Sequence, residues 1–292
     1  MPFACRAPKP DNRPVPTTPW QQRIRRAKHL AEQHPFAAEV LDFYILIASF
    51  QEELYQRAER ASRPGSGRDP RSTAGETPAL RFRGAMNLPD SPELLDSFSP
   101  FLALVDQNGP ALVAQVAREL EGAPASAWSD LLNSVWLSCD EPPSSPQEFL
   151  AFAFLQPYAE FARSQSPQHD GYTHPQCPWC GRKPALGILR PQGDGARRSL
   201  LCGFCLAEWE FRRVVCPGCG QEDHAKLPVY TAETFPYIRV ECCDACHTYI
   251  KSIDLSKNGL AEPLVDELAS VPLDLWAQDR GYAKLRPNLL GM

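Results

Sequence analysis

Eight of the eleven cysteines in the chain form four pairs, and in each pair two residues separate the two cysteines. A Cys-x-x-Cys turn directs two sulfur atoms toward one ion, and two such turns supply the four thiolates of a closed tetrahedral site. Glycine directly follows the first and third pairs, at Gly181 and Gly220, and permits the left-handed backbone that such a turn requires. We therefore predict two metal sites, one with the ligands Cys177, Cys180, Cys202 and Cys205, and one with the ligands Cys216, Cys219, Cys243 and Cys246.

The intervals between the pairs favour this sequential grouping. The first pair is separated from the second by 21 residues and the third from the fourth by 23, close to the intervals in ribbon-type metal modules, whereas ten residues separate the middle pairs. An interleaved grouping, of the first pair with the third, is the alternative. A thioredoxin-like redox pair needs a βαβ setting that the β-rich flanks do not offer. The N-terminus has no export signal, which disfavours disulfides because cytoplasmic thiols stay reduced.

The ligand type limits the chemistry of the two sites. Four thiolates suit zinc and also a single iron ion, and the spacing does not distinguish them. A closed site of four protein ligands leaves no position for water or substrate, which disfavours hydrolytic metal catalysis. The sequence also lacks the G-x-G-x-x-G, P-loop, H-E-x-x-H and G-x-S-x-G motifs. We therefore predict no catalytic residue and no enzymatic activity.

Other sulfur and imidazole groups lie near the pairs without completing a site. Cys242 directly precedes the predicted ligand Cys243, and we expect its side chain to point away from the ion. His224 and His247 would serve as ligands only if a cysteine were missing. Since none is missing, we interpret both histidines as ordinary polar residues.

The predicted ligands lie in a part of the chain that is rich in short β-strand patterns. Nine of the eleven cysteines fall between Gly171 and Asp254. The runs with β propensity are 185–189, 199–202, 209–215, 229–230, 237–241 and 248–253. We predict two tandem ribbon-type modules, at 171–213 and 214–255. Modules of this size bury too little apolar surface to fold alone, so the ions must supply folding free energy.

Helical patterns precede the cysteine-rich part. Residues 19–166 have apolar residues at helical spacing, interrupted by proline and glycine, and predict an irregular all-helical domain. Its first helix should begin at Pro19, and a further one at Pro100, because proline suits the first helical position. The tail at 1–18 is Pro-rich, and residues 62–77 lack apolar periodicity, so we predict a flexible tail and a mobile loop there.

The C-terminal segment, 256–292, also contains a helical pattern. A last helix is expected over 263–278, and Pro272 inside it predicts a kink or a break into two short helices. We interpret its acidic residues as a solvated face: Asp266, Glu267, Asp274 and Asp279. The predicted fold class is therefore α+β multidomain, with an irregular all-helical N-terminal domain, two tandem ribbon-type modules of four cysteines each and a C-terminal helix.

The charge of the chain argues against nucleic acid as a partner. The formal net charge is −5 at pH 7, and the pI is near 5.7. Between residues 171 and 254, ten basic and nine acidic side chains nearly cancel, and metal-bound thiolates add negative charge. Strand alternation would send the neighbours Arg197 and Arg198 to opposite faces. No apolar run is long enough to cross a membrane, so we expect a cytoplasmic protein without membrane insertion.

The ordered motifs resemble those of the formate dehydrogenase accessory proteins, the FdhE family. The resemblance covers the whole chain in outline, and its specific part runs from Cys177 to the C-terminus. It rests on the cysteine pairs with their flanking residues, at 174–181, 201–209, 213–220 and 241–251, and on the segments 266–270, 273–275 and 281–282. Cys242 departs from the usual family pattern.

This resemblance implies a cytoplasmic helper that is needed to make active respiratory formate dehydrogenase, a molybdenum or tungsten selenoenzyme. It further implies binding to the catalytic subunit of that enzyme before export, and rubredoxin-like cysteine sites that hold iron more readily than zinc. No catalytic residue is carried over, because the family has no established reaction. A rubredoxin-like redox or oxygen-sensing role during metalloenzyme maturation is the alternative.

Overall fold

The computed structural model describes residues 18–61, 92–139, 143–166 and 171–288. In these ranges the chain forms a helical N-terminal part, then a strand-rich part with two clusters of four cysteines, and then a C-terminal helical segment, as the sequence predicts. A short strand follows this segment. The predicted tail, apart from Thr18, and the predicted loop at 62–77 lie outside the described residues.

The first helix, α1 (Pro19–Gln33), begins where the sequence predicts. The Thr18 hydroxyl accepts a hydrogen bond from the Gln21 N–H at 3.1 Å, and the Gln21 side chain accepts one from the Thr18 N–H at 3.3 Å. This capping box satisfies two donors that the first turn would otherwise leave without partners. The inner face of α1, which includes Ala27 and Leu30, is buried.

The other helices of the N-terminal part pack around a central one. They are α2 (Ala38–Ala61), α3 (Pro92–Asn108), α4 (Ala111–Glu121), α5 (Ala125–Leu137) and α6 (Pro146–Ser164). Helix α6 lies at the centre, since most of its side chains are buried and it packs against α2, α4 and α5. Among the described residues, no helix combines the length and the hydropathy needed to span a bilayer.

The prediction that Pro100 begins a new helix is wrong, because α3 runs through Pro100 without a break. A proline inside a helix costs about 3 kcal/mol, since it removes a backbone hydrogen bond. Phe98 and Phe101 beside it are fully buried and pack on Phe154 of α6, with ring centroids 4.8 and 5.5 Å away. Each buried phenylalanine contributes about 1.5–3 kcal/mol, so this packing offsets the proline.

One mixed sheet forms the frame of the C-terminal part. Its strands are β1 (Leu186–Gln192), β2 (Gly195–Leu201), β3 (Glu208–Glu210), β4 (Val229–Ala232), β5 (Phe235–Cys243), β6 (Thr248–Asp254) and β7 (Ala283–Lys284). Their order across the sheet is β3-β2-β1-β6-β5-β4, and β7 pairs with the first residues of β6. Every run with predicted β propensity overlaps one of these strands, although only the start of 209–215 is extended.

A parallel pair of strands joins the two predicted modules. Strand β1 belongs to the first module and β6 to the second, and they pair over Leu186–Leu189 and Lys251–Asp254. Within each module the strands pair antiparallel. The modules therefore share backbone hydrogen bonds as well as side-chain contacts. Their division between residues 213 and 214 remains a prediction, and the sheet continues across it.

The C-terminal helix breaks in two, as the sequence predicts, into α7 (Pro263–Ala269) and α8 (Val271–Asp279). Pro272 lies in the first turn of α8, where a missing N–H leaves no helical hydrogen bond unmade. Asp279 is exposed as predicted. The prediction of a solvated face is wrong for the three acidic residues that are buried against the rest of the protein: Asp266, Glu267 and Asp274.

Two lysines and two of these carboxylates alternate in a buried cluster between the sheet and the C-terminal helices. Lys251 Nζ of β6 lies 2.6 Å from Asp274 Oδ2 and 3.0 Å from Glu267 Oε1. Lys284 of β7 pairs with the same two carboxylates, and its Nζ lies 3.1 Å from Asp274 Oδ1. The Tyr249 hydroxyl donates to Asp274 at 2.7 Å. This ionic cluster therefore joins β6, β7, α7 and α8.

A separate ion pair, between Arg26 and Asp266, attaches the helical part to the C-terminal part. The guanidinium of Arg26 in α1 donates twice to the Asp266 carboxylate of α7, with its Nε at 2.9 Å from Oδ2. The Tyr237 hydroxyl of β5 donates to the same carboxylate at 2.7 Å. Because Asp266 is fully buried, these donors replace the water that its charge would otherwise require.

Candidate metal centres

The first centre brings together the four cysteines that the sequence predicts for it. The Sγ atoms of Cys177 and Cys205 lie 3.5 Å apart, those of Cys180 and Cys202 lie 3.4 Å apart, and those of Cys180 and Cys205 lie 3.7 Å apart. Four sulfurs held at about 2.3 Å from a tetrahedral ion would be separated by about 3.8 Å. The first centre therefore has the size and the ligand set of a tetrahedral thiolate site.

The second centre has the same arrangement. The Sγ–Sγ distance is 3.7 Å both between Cys216 and Cys246 and between Cys219 and Cys243. In each centre the four sulfur atoms lie within 4.8 Å of one another. The grouping is sequential, so the interleaved alternative is wrong. That these eight cysteines bind an ion, and whether it is iron or zinc, remain predictions that the sulfur geometry fits.

The four Cys-x-x-Cys turns share one backbone geometry. The residue after the second cysteine has a positive φ in each turn, 77° at Gly181 and Gly220 and 53° at Leu206 and His247. In three of the turns the N–H of this residue donates to the carbonyl of the first cysteine, at 2.9 Å for both glycines and at 2.8 Å for His247. The two glycines are predictable from the sequence. Leu206 and His247 adopt the same conformation without being glycine, and only their position in the motif indicates it.

Backbone amides in the turns also donate to sulfur. The Phe204 nitrogen lies 3.4 Å from Cys202 Sγ, and the Gly218 nitrogen lies 3.3 Å from Cys216 Sγ. Such hydrogen bonds favour the thiolate that a metal ion requires. Burial raises the pKa of Cys246, but hydrogen bonds from Thr248 outweigh it and lower that pKa to about 7.

The two centres differ in exposure. All four cysteines of the first centre are buried and belong to the main hydrophobic core. In the second centre Cys216 and Cys243 are buried, but Cys219 is exposed and Cys246 is partly exposed. Solvent and other molecules therefore reach the second centre from the side of Cys219 and Cys246, whereas the first centre is closed to them.

The first centre is connected to the helical part through Phe204, which lies between its third and fourth cysteines. The Phe204 ring lies 4.9 Å from Phe152 of α6 and 5.6 Å from Trp136 of α5. The Gln156 side chain of α6 donates to the Gly203 carbonyl at 2.7 Å. An ion in this centre would therefore also fix the contact between the sheet and the helices. Four further aromatic residues of the strand-rich part are buried as well: Trp179, Trp209, Phe211 and Tyr249.

Cys242 lies outside both centres, and its side chain is buried in the smaller core between the sheet and α8. Burial, with the nearby Asp244 carboxylate, raises the pKa of this thiol to about 12, so it stays protonated at neutral pH. Neither His224 nor His247 belongs to the two clusters of four found among the described residues. These three residues therefore lie outside both groups of four sulfur atoms, and that they are not ligands remains a prediction.

The left-handed turns allow a direct test of the turn geometry. Replacing Gly220 with alanine should lower the free energy of unfolding by about 1–2 kcal/mol, because an L-residue is strained in the left-handed region. A Cβ at this position would meet no atom within 4 Å, so backbone strain accounts for the whole expected effect. Chemical denaturation of the metal-loaded protein measures the difference.

Gly195→Ala is the matched control for this test. Gly195 does not have a positive φ, and an added Cβ would make only an ordinary contact, 3.9 Å from the Gln192 carbonyl oxygen. We expect a change within about 0.5 kcal/mol at this position. Equal losses at Gly195 and Gly220 would show that strain in the turn is not the cause.

Comparison with known proteins places both centres within matched family models. The model described as "FdhE, central domain" matches residues 176–213, which contain the first centre. The model described as "FdhE, C-terminal domain" matches residues 214–290, which contain the second.

Full-length relatives and a solved structure extend the similarity to the helical part. A protein of Aquifex aeolicus (strain VF5), named "Protein FdhE homolog", is 29% identical over 273 residues, which cover 92% of this chain and 94% of the relative. A protein of the same name from Haemophilus influenzae (strain PittEE) is 25% identical over 275 residues, or 92% of this chain and 87% of the relative. The crystal structure of the FdhE protein from Pseudomonas aeruginosa is 26% identical, with a TM-score of 0.62 over 93% of this chain and 95% of that one. The chain is therefore similar to FdhE proteins over most of its length, and the matched family models contain both cysteine centres.

Proposed function

We propose that this protein is a cytoplasmic accessory factor for the formation of active respiratory formate dehydrogenase, and that it binds the catalytic subunit of that enzyme before export. The similarity to FdhE proteins supports the general role. The two cysteine centres support a binding function rather than a catalytic one, because four protein ligands leave no coordination position for a substrate.

The observation that carries this proposal is the closed four-sulfur geometry of both centres. An ion bound there would supply folding free energy, and the surrounding side chains would make the contacts with the partner. Around the first centre, Phe204 holds the sheet on α5 and α6. Around the second, the exposed turn with Cys219 belongs to the surface that other proteins can contact. In this proposal the ions stabilise a docking surface and carry out no reaction.

Co-purification tests the proposed binding. The tagged accessory protein, prepared without oxygen, should retain the catalytic subunit of formate dehydrogenase. The Cys216→Ser/Cys219→Ser double variant should lose the subunit, because the turn at the second centre would no longer be held in place. Cys139→Ser is the control, since Cys139 lies outside both clusters of four.

Metal analysis of the same samples makes the result decisive. The double variant should lose the ion of the second centre and keep that of the first. A variant that has lost this ion and still retains the subunit at the wild-type level would contradict the proposed role of the second centre. A wild-type protein that retains no subunit would contradict the proposed function itself.

The second candidate function is a rubredoxin-like redox or oxygen-sensing role during maturation of the enzyme. The exposure of Cys219 favours it, because electron transfer and reaction with oxygen both need access to the ion. This function requires iron, since zinc has no redox chemistry in proteins. Visible absorption and metal analysis of protein prepared without oxygen test it, and a colourless protein that holds only zinc would exclude it.

A further inference from the structure

A cavity of about 460 Å³ lies on one face of the sheet, where the two modules meet. Leu189 and Arg198 come from paired positions in the first module, and Glu241 and Ile250 come from paired positions in the second, so all four lie on this face. The opposite face packs against α8 through Ile238, Val240 and Leu273, among others. The linker between the modules, from Arg213 to Pro217, forms another wall of the cavity.

The cavity combines apolar walls with an excess of positive charge. Three arginines line it, and Glu241 is the only carboxylate that lines it among the described residues. Arg198 pairs with Glu241, and Arg239 pairs with Asp254 at 2.7 Å. Arg213 is exposed and has no ionic or hydrogen-bonding partner in the part of the chain that the structure describes. One guanidinium at the cavity is therefore available to a ligand.

A second arginine at the cavity also has an unused donor. Arg198 is 2% exposed, and it donates to the carbonyl oxygens of Arg212 and Val215 at 2.9 and 3.3 Å as well as to Glu241. Its Nε is buried and has no acceptor among the described residues. Because this nitrogen is buried, a ligand in the cavity does not reach it unless its neighbours move, and the exposed guanidinium of Arg213 is the group offered to a ligand.

The thiolates at one end of the cavity limit the charge that a ligand can carry. Cys216 and Cys243 line this end, and four thiolates around a divalent ion carry a net negative charge. A run of acidic groups would be repelled there. A single carboxylate near Arg213, followed by apolar groups, fits both the free cation and the apolar walls.

The rim of the cavity suits an extended chain. Val214 and Val229 flank the cavity and are about half exposed, at 50% and 53%. Val229 begins β4, whose outer edge has no paired strand in the described ranges. An extended peptide can add to such an edge through its backbone and place alternate side chains on the cavity side.

We propose that this cavity binds an extended segment of the catalytic subunit, with one acidic side chain at Arg213 and apolar side chains against Val214 and Val229. This inference rests on the proposed function for the identity of the partner. The chemistry of the segment follows from the cavity itself. A single acid between apolar residues is accepted, while an acidic run or a basic residue at the same place is rejected.

Peptide binding and co-purification together test this proposal. Peptides of 15 residues that tile the catalytic subunit are arrayed and probed with metal-loaded accessory protein. The bound peptides should carry one Asp or Glu between apolar residues, and an Asp→Asn or Glu→Gln change in them should weaken binding about tenfold. Arg213→Gln should cause the same loss. Val229→Asp, which places a carboxylate on the rim, is a second variant and should weaken the same peptides.

Arg212→Gln is the matched control, because Arg212 is also exposed but pairs with Glu222 and does not line the cavity. It should bind the peptides within about twofold of the wild type. Circular dichroism and metal content should be unchanged in all three variants. If Arg213→Gln and Val229→Asp bind the peptides like the wild type, the cavity is not the docking site. The same conclusion follows if no peptide binds although the folded subunit co-purifies. In both cases the proposed function stands. If the subunit does not co-purify with wild-type protein, the proposed function fails first.

Discussion

Replacing Cys202 with serine will unfold much of the C-terminal part, whereas Cys219→Ser will disturb only the surroundings of the second centre. Cys202 is fully buried in the main core, and no water can replace its sulfur as a ligand. Loss of a structural zinc ion removes about 10 kcal/mol or more of binding free energy, which is comparable with the whole stability of a domain. Cys219 is exposed, so water can occupy its place beside the three remaining thiolates.

Amide hydrogen exchange and metal analysis measure this difference. In Cys202→Ser the amides of β1, β2 and β3 should lose protection, and the metal content should fall by one ion per chain. In Cys219→Ser the same amides should stay protected. A chelator added to the wild-type protein should remove the ion of the second centre first, for the same reason of access. Equal effects of the two substitutions, or full protection in Cys202→Ser, would show that the first centre is not a structural metal site.

Replacing Lys251 with methionine should lower the free energy of unfolding by about 3–5 kcal/mol. The substitution removes the ammonium group that Asp274 and Glu267 share and leaves Lys284 as their remaining cation in the ionic cluster. Since both carboxylates are buried, water cannot replace the lost partner. Chemical denaturation at neutral pH measures the change. Lys257→Met is the control, since the Lys257 ammonium makes only an exposed hydrogen bond to a backbone carbonyl, at 3.2 Å.

The same substitution should also change the response to acid. Burial raises the pKa of Glu267, but Lys251 and Lys284 outweigh it and hold that pKa well below its ordinary value of 4.5. A carboxyl group with a depressed pKa in the folded state stabilises the fold above its unfolded pKa, and this contribution is lost as the pH falls below it. Without Lys251 the pKa of Glu267 rises, so acid unfolding should begin at a higher pH than in the wild type. An unchanged acid midpoint in Lys251→Met would show that the ionic cluster does not set the acid stability.

The cysteine centres could be predicted from the sequence because their geometry is local. Two residues between cysteines fix a tight turn, and the glycines at 181 and 220 indicate where the chain becomes left-handed. The intervals of 21 and 23 residues then select the sequential grouping that the structure has. The break of the last helix near Pro272 was predictable for the same reason, since proline has no backbone N–H to donate and therefore interrupts a helix at its own position.

The features that the sequence did not indicate depend on contacts between distant residues. Pro100 continues a helix because Phe154, far along the chain, packs on its neighbours. Asp266 is buried because Arg26, from the first helix, reaches it. No local sequence pattern indicates that β1 pairs in parallel with β6, or that β7 pairs with β6. From the sequence alone, these strand edges could equally be unpaired. The cavity between the modules depends on that pairing, so it could not be predicted from the sequence either.

The parallel pairing of β1 with β6 has a consequence for how the protein is made. The ribosome releases the first module before β6 has been synthesised, so one edge of β1 stays open while translation continues. An open strand edge pairs readily with other chains. The nascent first module is therefore exposed to aggregation until its downstream partner strand emerges.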